Sequence, residues 1–411
     1  MEEGPHYSAS WKKGSSTDLK KNKKDSGKNI EPQNTAGHGQ KPGNASPGGR
    51  LPDKKAPANK NVSAKRKKRK RKYPLWVRIL TIVVAVIFAA VLAGLIFVLA
   101  KLGQINRAVD VEKLNPESEY FETDEPDSNL ETMNPEDVTW SNSETVSGSD
   151  DVVNILLIGQ DRRPGEGRAR SDAMIIASIN KTDKTIKLTS LMRDMYVQIP
   201  GYSDNRINAA YAFGGMETLD ATIKENFDID IDGNIEVDFS GFKDVIDSIG
   251  GIDMEIDADE IDVMNDYVRD INRQTGENTE SSLVTQAGMQ HLNGTQALAY
   301  SRIRYVGNGD FGRTERQRKV LMAAFDEVSN LSIPEMLSLA DTVLPLLTTD
   351  MSSGDLISLA TDVLTLGISD IETHNIPEDA SYRSASIRGM SVLVPDLDSC
   401  RRVLQEIIYG E

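Results

Sequence analysis

The sequence predicts an α/β sandwich behind a single membrane-spanning helix and a long basic tail. Three observations lead to this prediction. Short apolar runs alternate with helical patterns from residue 151 onward, a continuous apolar segment covers residues 79–100, and the 411-residue chain separates its charges. Residues 1–78 carry a net charge of +15 and the remainder carries −31, so the overall −16 conceals two regions of opposite sign. A uniform acidic globular protein is therefore excluded.

Residues 1–78 form a predicted cytoplasmic tail. Lys, Gly, Pro, Ser and Asn dominate residues 1–64, and such a composition predicts disorder because it buries too little apolar surface. Eight consecutive cations follow at residues 65–72. A basic run of this kind can bind nucleic acid, but beside a membrane span it is typical of a topology signal with affinity for anionic lipid. We expect contact with membrane lipid and no nucleic-acid partner.

The apolar segment 79–100 is predicted to be a retained transmembrane helix. Its length, about 33 Å at 1.5 Å per residue, is sufficient for a hydrocarbon core of about 30 Å. A cleaved signal peptide is the alternative, but the segment is longer than a usual apolar region of a signal peptide and begins far into the chain. Cations before the span and acids after it place the N-terminus in the cytoplasm. We expect a single-pass protein of the cell membrane whose larger part is extracellular.

The extracellular part divides by composition. Residues 101–150 are acidic and polar and are predicted to be a linker that lifts a domain off the membrane. Strands and helices then alternate along 151–370, as in an α/β sandwich. Strands are predicted at 152–158, 173–179, 185–191, 235–239 and 252–256. Helices are predicted at 216–227, 242–249, 294–301, 314–331, 333–347 and 353–366. The polar stretch 257–285 is predicted to be a loop, and 371–411 a C-terminal extension of the same domain.

The residue inventory excludes several kinds of site. Cys400 is the only cysteine, which rules out an internal disulfide and a zinc site with two thiolates. The GxxxxGK[ST] and GxSxG motifs do not occur in the sequence. Two of the four histidines lie in the tail, so acid–base or metal chemistry must rest mainly on carboxylates.

Arginines and aspartates are concentrated at the ends of the predicted strands and at the start of one helix. These residues are Asp161, Arg170, Asp172, Arg193, Arg302, Arg304, Asp310 and Arg313, and the polar side chain of Gln317 follows on the same helix. Ligands bind at strand ends in open α/β sheets, so we expect several of these side chains to converge. Guanidinium groups grip phosphate bidentately, and neighbouring aspartates tolerate phosphate when Mg²⁺ bridges them. The pattern favours a diphosphate–Mg²⁺ site, with a structural network of Arg–Asp salt bridges as an equally open alternative.

The helices predicted at 333–366 are rich in leucine. Core packing accounts for such an apolar stripe. The alternative is that part of the stripe lines a groove for a long hydrocarbon chain.

Seven sequence blocks resemble, in this order, those of the LytR-CpsA-Psr family. They are NILLIGQDRR, RSDAMIIASIN, LTSLMRDMYVQIPG, RINAAYAFGG, VDFSGFKDVIDSIGGIDMEI, LNGTQALAYSRIRY and GDFGRTERQRKVL. The resemblance covers about 151–330 and implies an α/β/α sandwich that binds a polyprenyl-pyrophosphate lipid. It also implies Mg²⁺-dependent transfer of a glycopolymer, such as teichoic acid or capsular polysaccharide, from that lipid to peptidoglycan during Gram-positive cell-wall biogenesis.

The same resemblance implies roles for individual residues. Arg170, Arg193, Arg302, Arg304 and Arg313 match the family's pyrophosphate-contacting arginines, and Gln317 and Asp310 match other site positions. Asp161 and Asp172 match its Mg²⁺-associated acids. The candidate catalytic residues are Asp172, Arg193 and Asp310, and either aspartate is a candidate base for the acceptor hydroxyl. Met192 stands where many members have proline, a departure that leaves these roles unchanged.

Two other functions remain as alternatives. The first is a membrane-bound regulator, either a transcriptional attenuator or a sensor of lipid diphosphate. The tail has no helix-turn-helix pattern, which disfavours that reading. The second is a hydrolase that only cleaves the polyprenyl pyrophosphate, and product analysis with and without a glycan acceptor separates it from a transferase.

Overall fold

The computed structural model describes residues 75–108, 113, 115, 129–141, 148–149, 151–160, 169–366 and 371–410. Within these ranges the strands are β1 (Asn106–Arg107), β2 (Glu131–Thr132), β3 (Val152–Gln160), β4 (Ser171–Asn180), β5 (Thr185–Leu191), β6 (Tyr196–Val197), β7 (Asn205–Arg206), β8 (Gly233–Asp238), β9 (Ile252–Ile256), β10 (Gly288–Leu292), β11 (Leu347–Thr349), β12 (Ile371–Ile376), β13 (Tyr382–Ile387) and β14 (Met390–Pro395). The α-helices are α1 (Leu75–Leu102), α2 (Ile207–Phe227), α3 (Phe239–Ser248), α4 (Ile261–Thr275), α5 (Gly294–Arg302), α6 (Gly309–Ser329), α7 (Ile333–Val343), α8 (Ser353–Leu366) and α9 (Leu397–Tyr409). Short 3₁₀ helices cover Pro135–Asp137 and Leu344–Leu346.

The first helix confirms the predicted span. Within α1, Val83–Leu102 is long and apolar enough to cross a membrane, with a mean hydropathy of 3.1. Its side chains from Val83 to Ala100 are exposed, and burial begins at Lys101. The helix begins at Leu75, inside the predicted tail, and residues 1–74 of that tail lie outside the described residues.

A seven-stranded mixed sheet forms the centre of the domain, in the order β1-β11-β8-β3-β4-β5-β12. Successive side chains of a strand point to opposite faces. Leu156 and Ile176 therefore enter a core that includes α2 and α9, whereas Leu157 and Ile175 pack on the other face with residues of α6 and α8. Helices thus cover both faces, and the predicted α/β/α sandwich is confirmed.

The structure differs from the prediction at both edges of this sheet. Strand β1 lies in the predicted linker and pairs in parallel with β11, whose paired residues lie 242 positions further along the chain. Strand β12 lies in the predicted C-terminal extension and pairs in parallel with β5. Strand β2, also from the predicted linker, pairs with β13 in a separate three-stranded sheet. These described parts of 101–150 and 371–411 are therefore integral to the domain.

The predicted loop 257–285 also contains regular structure. Helix α4 occupies its centre, and the apolar side chains Met264, Val268 and Ile271 are buried along one stripe of that helix. Ten of the helix's fifteen residues are not buried, so polar side chains dominate its composition and conceal the stripe. An amphipathic helix of this kind is stabilised by its packed face rather than by overall apolarity.

Candidate functional site

The site lies where three strands of the central sheet end together. Gln160, the last residue of β3, pairs with Asp238 of β8 and with Ser171 of β4. Because β4 runs antiparallel to β3, its first residues lie at the same edge, with Arg170 directly before the strand. Strand β5 is antiparallel to β4 and brings Arg193 back to this edge, two residues after Leu191. Arg170, Asp172 and Arg193 are therefore assembled by strand pairing.

Helix α6 adds the remaining side chains of the cluster. Asp310, Arg313 and Gln317 follow one another at spacings of three and four residues, so they lie on one face of its first two turns. Asp310 Oδ1 lies 3.2 Å from Arg304 Nε, 3.2 Å from Arg313 Nη2 and 4.0 Å from Arg193 Nη2. One carboxylate thus sits among three guanidinium groups, and α6 carries both signs of charge.

Arg193 is the centre of the network. Its Nη1 donates to Asp172 Oδ1 at 2.6 Å and its Nε donates to Asp194 Oδ2 at 3.3 Å. Burial by itself would lower the pKa of Arg193, but the carboxylates of Asp194, Asp172 and Asp310 raise it above its ordinary value. The guanidinium therefore stays charged and is held in a fixed orientation.

The pKa values of two groups in the interior of the cluster, Asp194 and Arg313, are shifted in opposite directions. Burial raises the pKa of Asp194, against the opposing effect of Arg193. Burial lowers the pKa of Arg313, and the neighbouring charge of Arg193 lowers it further. An anion bound beside these arginines would relieve the repulsion between the two guanidinium groups.

Part of the donor capacity of the arginines is unused. Arg304 Nη2 and Arg313 Nε are buried and make no hydrogen bond among the described residues. A buried donor without an acceptor costs about 1–3 kcal/mol. Anionic oxygens are the acceptors that guanidinium groups bind most strongly, and phosphate offers several of them. The arrangement is therefore suited to a phosphate-containing ligand.

An apolar cavity of about 250 Å³ adjoins the cluster. Its polar rim includes Asp172, Asp238, Ser301 and Gln317. Its apolar wall comes from β3, β4, β8, β11 and helices α3, α5 and α6, through Leu157, Ile158, Ala173, Ile175, Ile235, Val237, Phe239, Phe242, Val245, Ile246, Leu298, Leu321, Ala324 and Leu347. Among the described residues of the Leu-rich stretch 333–366, Leu347 alone lines this cavity.

Arg302 lies apart from the ion-pair cluster. Its guanidinium stacks over the rings of Phe239 and Tyr267 at 5.1 and 5.3 Å, and its Nη1 lies 3.8 Å from Asp270 Oδ2. Within the described part of the chain it makes no ion pair with Asp310. Phe239 also lines the apolar cavity, so Arg302 contacts a residue of the cavity wall.

Three arginines close to the candidates have structural partners. Arg316 forms a buried ion pair with Glu260, 2.7 Å between Nε and Oε1. Arg318 donates to Ser190 and Asn375 and so ties α6 to β5 and β12. Arg206 pairs with Asp194 at 3.4 Å and holds that carboxylate beside Arg193. All three of these arginines are buried, which the sequence does not reveal.

A buried chain of hydrogen bonds positions Arg170 and was not predicted from the sequence. Tyr211 donates its hydroxyl to Glu236, and Gln160 donates its side-chain amide to the other oxygen of the same carboxylate. Gln160 Oε1 then accepts from the backbone N–H of Ala169 at 3.2 Å, directly before Arg170. The one available signal was a glutamate inside the apolar strand β8.

The described residues offer a partial set of ligands for Mg²⁺. Asp161 lies outside them, and they contain no group of three or more acidic, histidine or cysteine side chains that could hold a metal. Asp172 uses Oδ1 for Arg193, and its Oδ2 has no hydrogen-bond partner in the described ranges. Because Mg²⁺ bound to phosphates takes only one or two carboxylates from a protein, Asp172 fits such a site.

Comparison with known proteins places this geometry in a family context. The curated relatives include a polyisoprenyl-teichoic acid–peptidoglycan teichoic acid transferase, TagT of Bacillus subtilis, 29% identical over 303 residues, which are 72% of this chain and 84% of TagT. The TagU transferase of Bacillus cereus is 37% identical over 191 residues, 46% of this chain and 56% of TagU. The chain therefore spans only about half the length of that relative.

Solved structures of similar proteins share the fold. A structure of TagT bound to LIIa-WTA matches with a TM-score of 0.51 and 26% identity, covering 66% of this chain and 99% of TagT. The crystal structure of B. subtilis TagV matches with a TM-score of 0.50 and 29% identity, covering 64% of this chain and 98% of TagV. Residues 118–407 match the LytR_cpsA_psr family along most of the chain. The chain belongs to the LytR-CpsA-Psr family.

Proposed function

We propose that this protein is a membrane-anchored phosphotransferase that moves a glycopolymer from a polyprenyl-pyrophosphate carrier to peptidoglycan. The observation that carries the proposal is the partly buried arginine cluster at the polar rim of an apolar cavity. A lipid diphosphate has the matching parts, a hydrocarbon chain and a compact doubly charged head. The names of the curated relatives, which describe transfer of teichoic acid to peptidoglycan, support the same reaction.

The reaction follows from the charges at the site. An acceptor hydroxyl of the glycan forms a bond to the sugar-proximal phosphorus, and the bond from that phosphorus to the bridging oxygen breaks and releases polyprenyl phosphate. Arg193, Arg304 and Arg313 stabilise charge on the phosphate oxygens without having to reorganise. A bound Mg²⁺, held by Asp172 and phosphate oxygens, would supply further neutralisation of that charge. The hydroxyl proton passes to Asp172 or Asp310.

Asp310 is the better placed of the two candidate bases for reaching a large acceptor. Its side chain is 39% exposed, against 23% for Asp172. Asp172 also lines the apolar cavity and bonds Arg193 at 2.6 Å. A glycan approaching from solvent would therefore meet Asp310 first, while Asp172 lies nearer the lipid side.

The strand register supports a site that faces the membrane. Strand β1 begins four residues after α1 ends at Leu102. Asn106 pairs with Thr348, Thr348 with Glu236, and Glu236 with Ile158. The end of α1 is therefore level with the end of β3 where the cluster lies, about 14 Å away across three strand spacings. With an N-terminus in the cytoplasm, this arrangement would hold the site beside the headgroups of the outer leaflet.

The test uses the full-length protein in detergent micelles with Mg²⁺, a lipid-linked teichoic acid donor and a peptidoglycan acceptor. The expected product is polymer joined to glycan, and Arg193→Ala should lose at least about a hundredfold in rate. Arg273→Ala, an exposed arginine on α4, is the control and should retain activity. Release of polyprenyl phosphate without joined product would instead favour the hydrolase, and equal rates for Arg193→Ala and the wild type would refute the proposed site.

A further inference from the structure

A second cavity, of about 430 Å³, lies between residues 139–141 and the last strands of the domain. Its volume falls within the range of about 300–1,000 Å³ that is usual for small-molecule sites. The side chains that give it chemical character are Trp140, Tyr382, Arg383, Asp396 and Asp398. None of them takes part in the phosphate chemistry described above.

Two contacts connect this second cavity to the arginine cluster. The ring of Tyr382 stacks on Phe311, with 5.4 Å between ring centroids, and Phe311 follows Asp310 in the first turn of α6. On another wall, the backbone N–H of Leu393 donates to the carbonyl oxygen of Asp194 at 2.9 Å, and Val394 lines the cavity. A ligand in the second cavity would therefore contact residues that pack against neighbours of the arginine cluster.

The lining combines aromatic surface with donors and acceptors. Trp140 and Tyr382 offer flat rings with polar tips, Arg383 offers only donors, and the carboxylates of Asp396 and Asp398 offer acceptors. A sugar ring has an apolar face and hydroxyls that both donate and accept, so it matches every part of this set. An acyl chain would desolvate the two carboxylates and offer them no hydrogen bond, and a free phosphate would meet two negative charges beside one positive charge.

We propose that the second cavity binds sugar rings of a glycan and holds them beside the phosphate site. The assignment to a glycan rests on the proposed function, which requires a glycan on each side of the transferred phosphate. Both the donor polymer and the peptidoglycan acceptor offer this chemistry. The apolar cavity takes the lipid of the donor, which leaves the second cavity for the sugars of one of the two.

The experiment measures binding of two lipid-free probes to the full-length protein in detergent micelles by titration calorimetry. One probe is the N-acetylglucosamine–N-acetylmuramic acid disaccharide, and the other is a teichoic acid fragment without its lipid. Arg383→Gln and Tyr382→Leu remove one donor group and one ring from the cavity. Arg402→Gln changes an exposed arginine of α9 that does not line the cavity and serves as the charge-matched control.

We expect at least one probe to bind, with about tenfold weaker affinity in Arg383→Gln or Tyr382→Leu and unchanged affinity in Arg402→Gln. If the variants weaken binding of the disaccharide, the cavity is assigned to the acceptor glycan. If they weaken binding of the teichoic acid fragment, it is assigned to the donor polymer. The inference is overturned if neither probe binds at millimolar concentration, or if both variants bind both probes like the wild type. Arg383 is exposed, so its variant remains informative if Tyr382→Leu does not fold.

These outcomes are independent of the transfer reaction, because neither probe carries a lipid diphosphate. The proposed function is tested by Arg193→Ala in the transfer assay. Transfer activity in a protein that binds neither probe would support the proposed function and refute the sugar site. Conversely, sugar binding by a protein without transfer activity would support the sugar site and refute the proposed reaction.

Discussion

Asp310→Asn is the substitution that tests the phosphate site most directly. In the structure the carboxylate of Asp310 forms ion pairs with the guanidinium groups of Arg193, Arg304 and Arg313. The proposed reaction assigns these same three groups to the pyrophosphate. A pyrophosphate on the same arginines would lie about 6 Å from this negative charge. Two unit charges at that separation repel each other by about 3 kcal/mol when the effective dielectric constant is 20.

Solvent reduces this repulsion, because 39% of the Asp310 side chain is exposed. About 1.4 kcal/mol should remain, which corresponds to a tenfold change in dissociation constant. We therefore expect Asp310→Asn to bind a short-chain polyprenyl pyrophosphate about ten times more tightly. If Asp310 is also the base, the same variant should lose at least about a hundredfold in turnover. Affinity and turnover would then change in opposite directions.

The assay is titration calorimetry with the full-length protein at low and high salt, followed by transfer kinetics. Asp270→Asn is the matched control, since Asp270 has the same 39% exposure but its ion pairs are with Arg273 at 3.3 Å and Arg302 at 3.8 Å. It should change affinity less than about twofold. Weaker binding by Asp310→Asn would refute the reasoning, because it would mean that the carboxylate mainly holds the arginines in place.

Three further predictions concern stability, positioning and the membrane. Burial is the largest cause that raises the pKa of Asp220, to about 7. Because the folded state holds this proton more tightly than the unfolded state, the free energy of unfolding should fall as pH rises from about 4 to 7. Asp220→Asn should remove that fall and stabilise the protein at pH 8 by about 1–2 kcal/mol in urea denaturation. Parallel pH profiles for the two proteins would contradict this. Glu236→Gln should weaken pyrophosphate binding about three- to tenfold through Gln160 and Arg170 with little change in melting temperature, and a loss of folding alone would argue for a purely structural carboxylate. A flexible insertion of ten residues at Gly103 should reduce transfer from donor in vesicles but not from donor in micelles, whereas equal losses in both would show that the site does not depend on its distance from the bilayer.

Local patterns predicted much of the fold. The strand 185–191 and the helix 353–366 have the predicted bounds, and β3, β4 and β9 lie where apolar runs or alternation indicate them. Because β3 and β4 are buried on both faces, they are nearly continuous apolar runs, which can be recognised from the sequence without knowing which strands pair with them. Strand β1 is different, because two residues carry no periodicity and become a strand only through pairing with β11. Helix α4 was missed because its apolar stripe is narrow within a polar composition.

The sequence by itself determined the membrane span, the alternation of strands and helices, and the concentration of arginines and aspartates at strand ends, since composition and periodicity are local properties. Only the tertiary structure decided which of those charges meet. Asp172 and Arg193 are brought together by the pairing of β4 with β5, and Asp310 reaches them from a helix more than a hundred residues later. Two aromatic rings hold Arg302 away from the same cluster. Such choices depend on contacts between distant segments, and spacing along the chain carries no record of them.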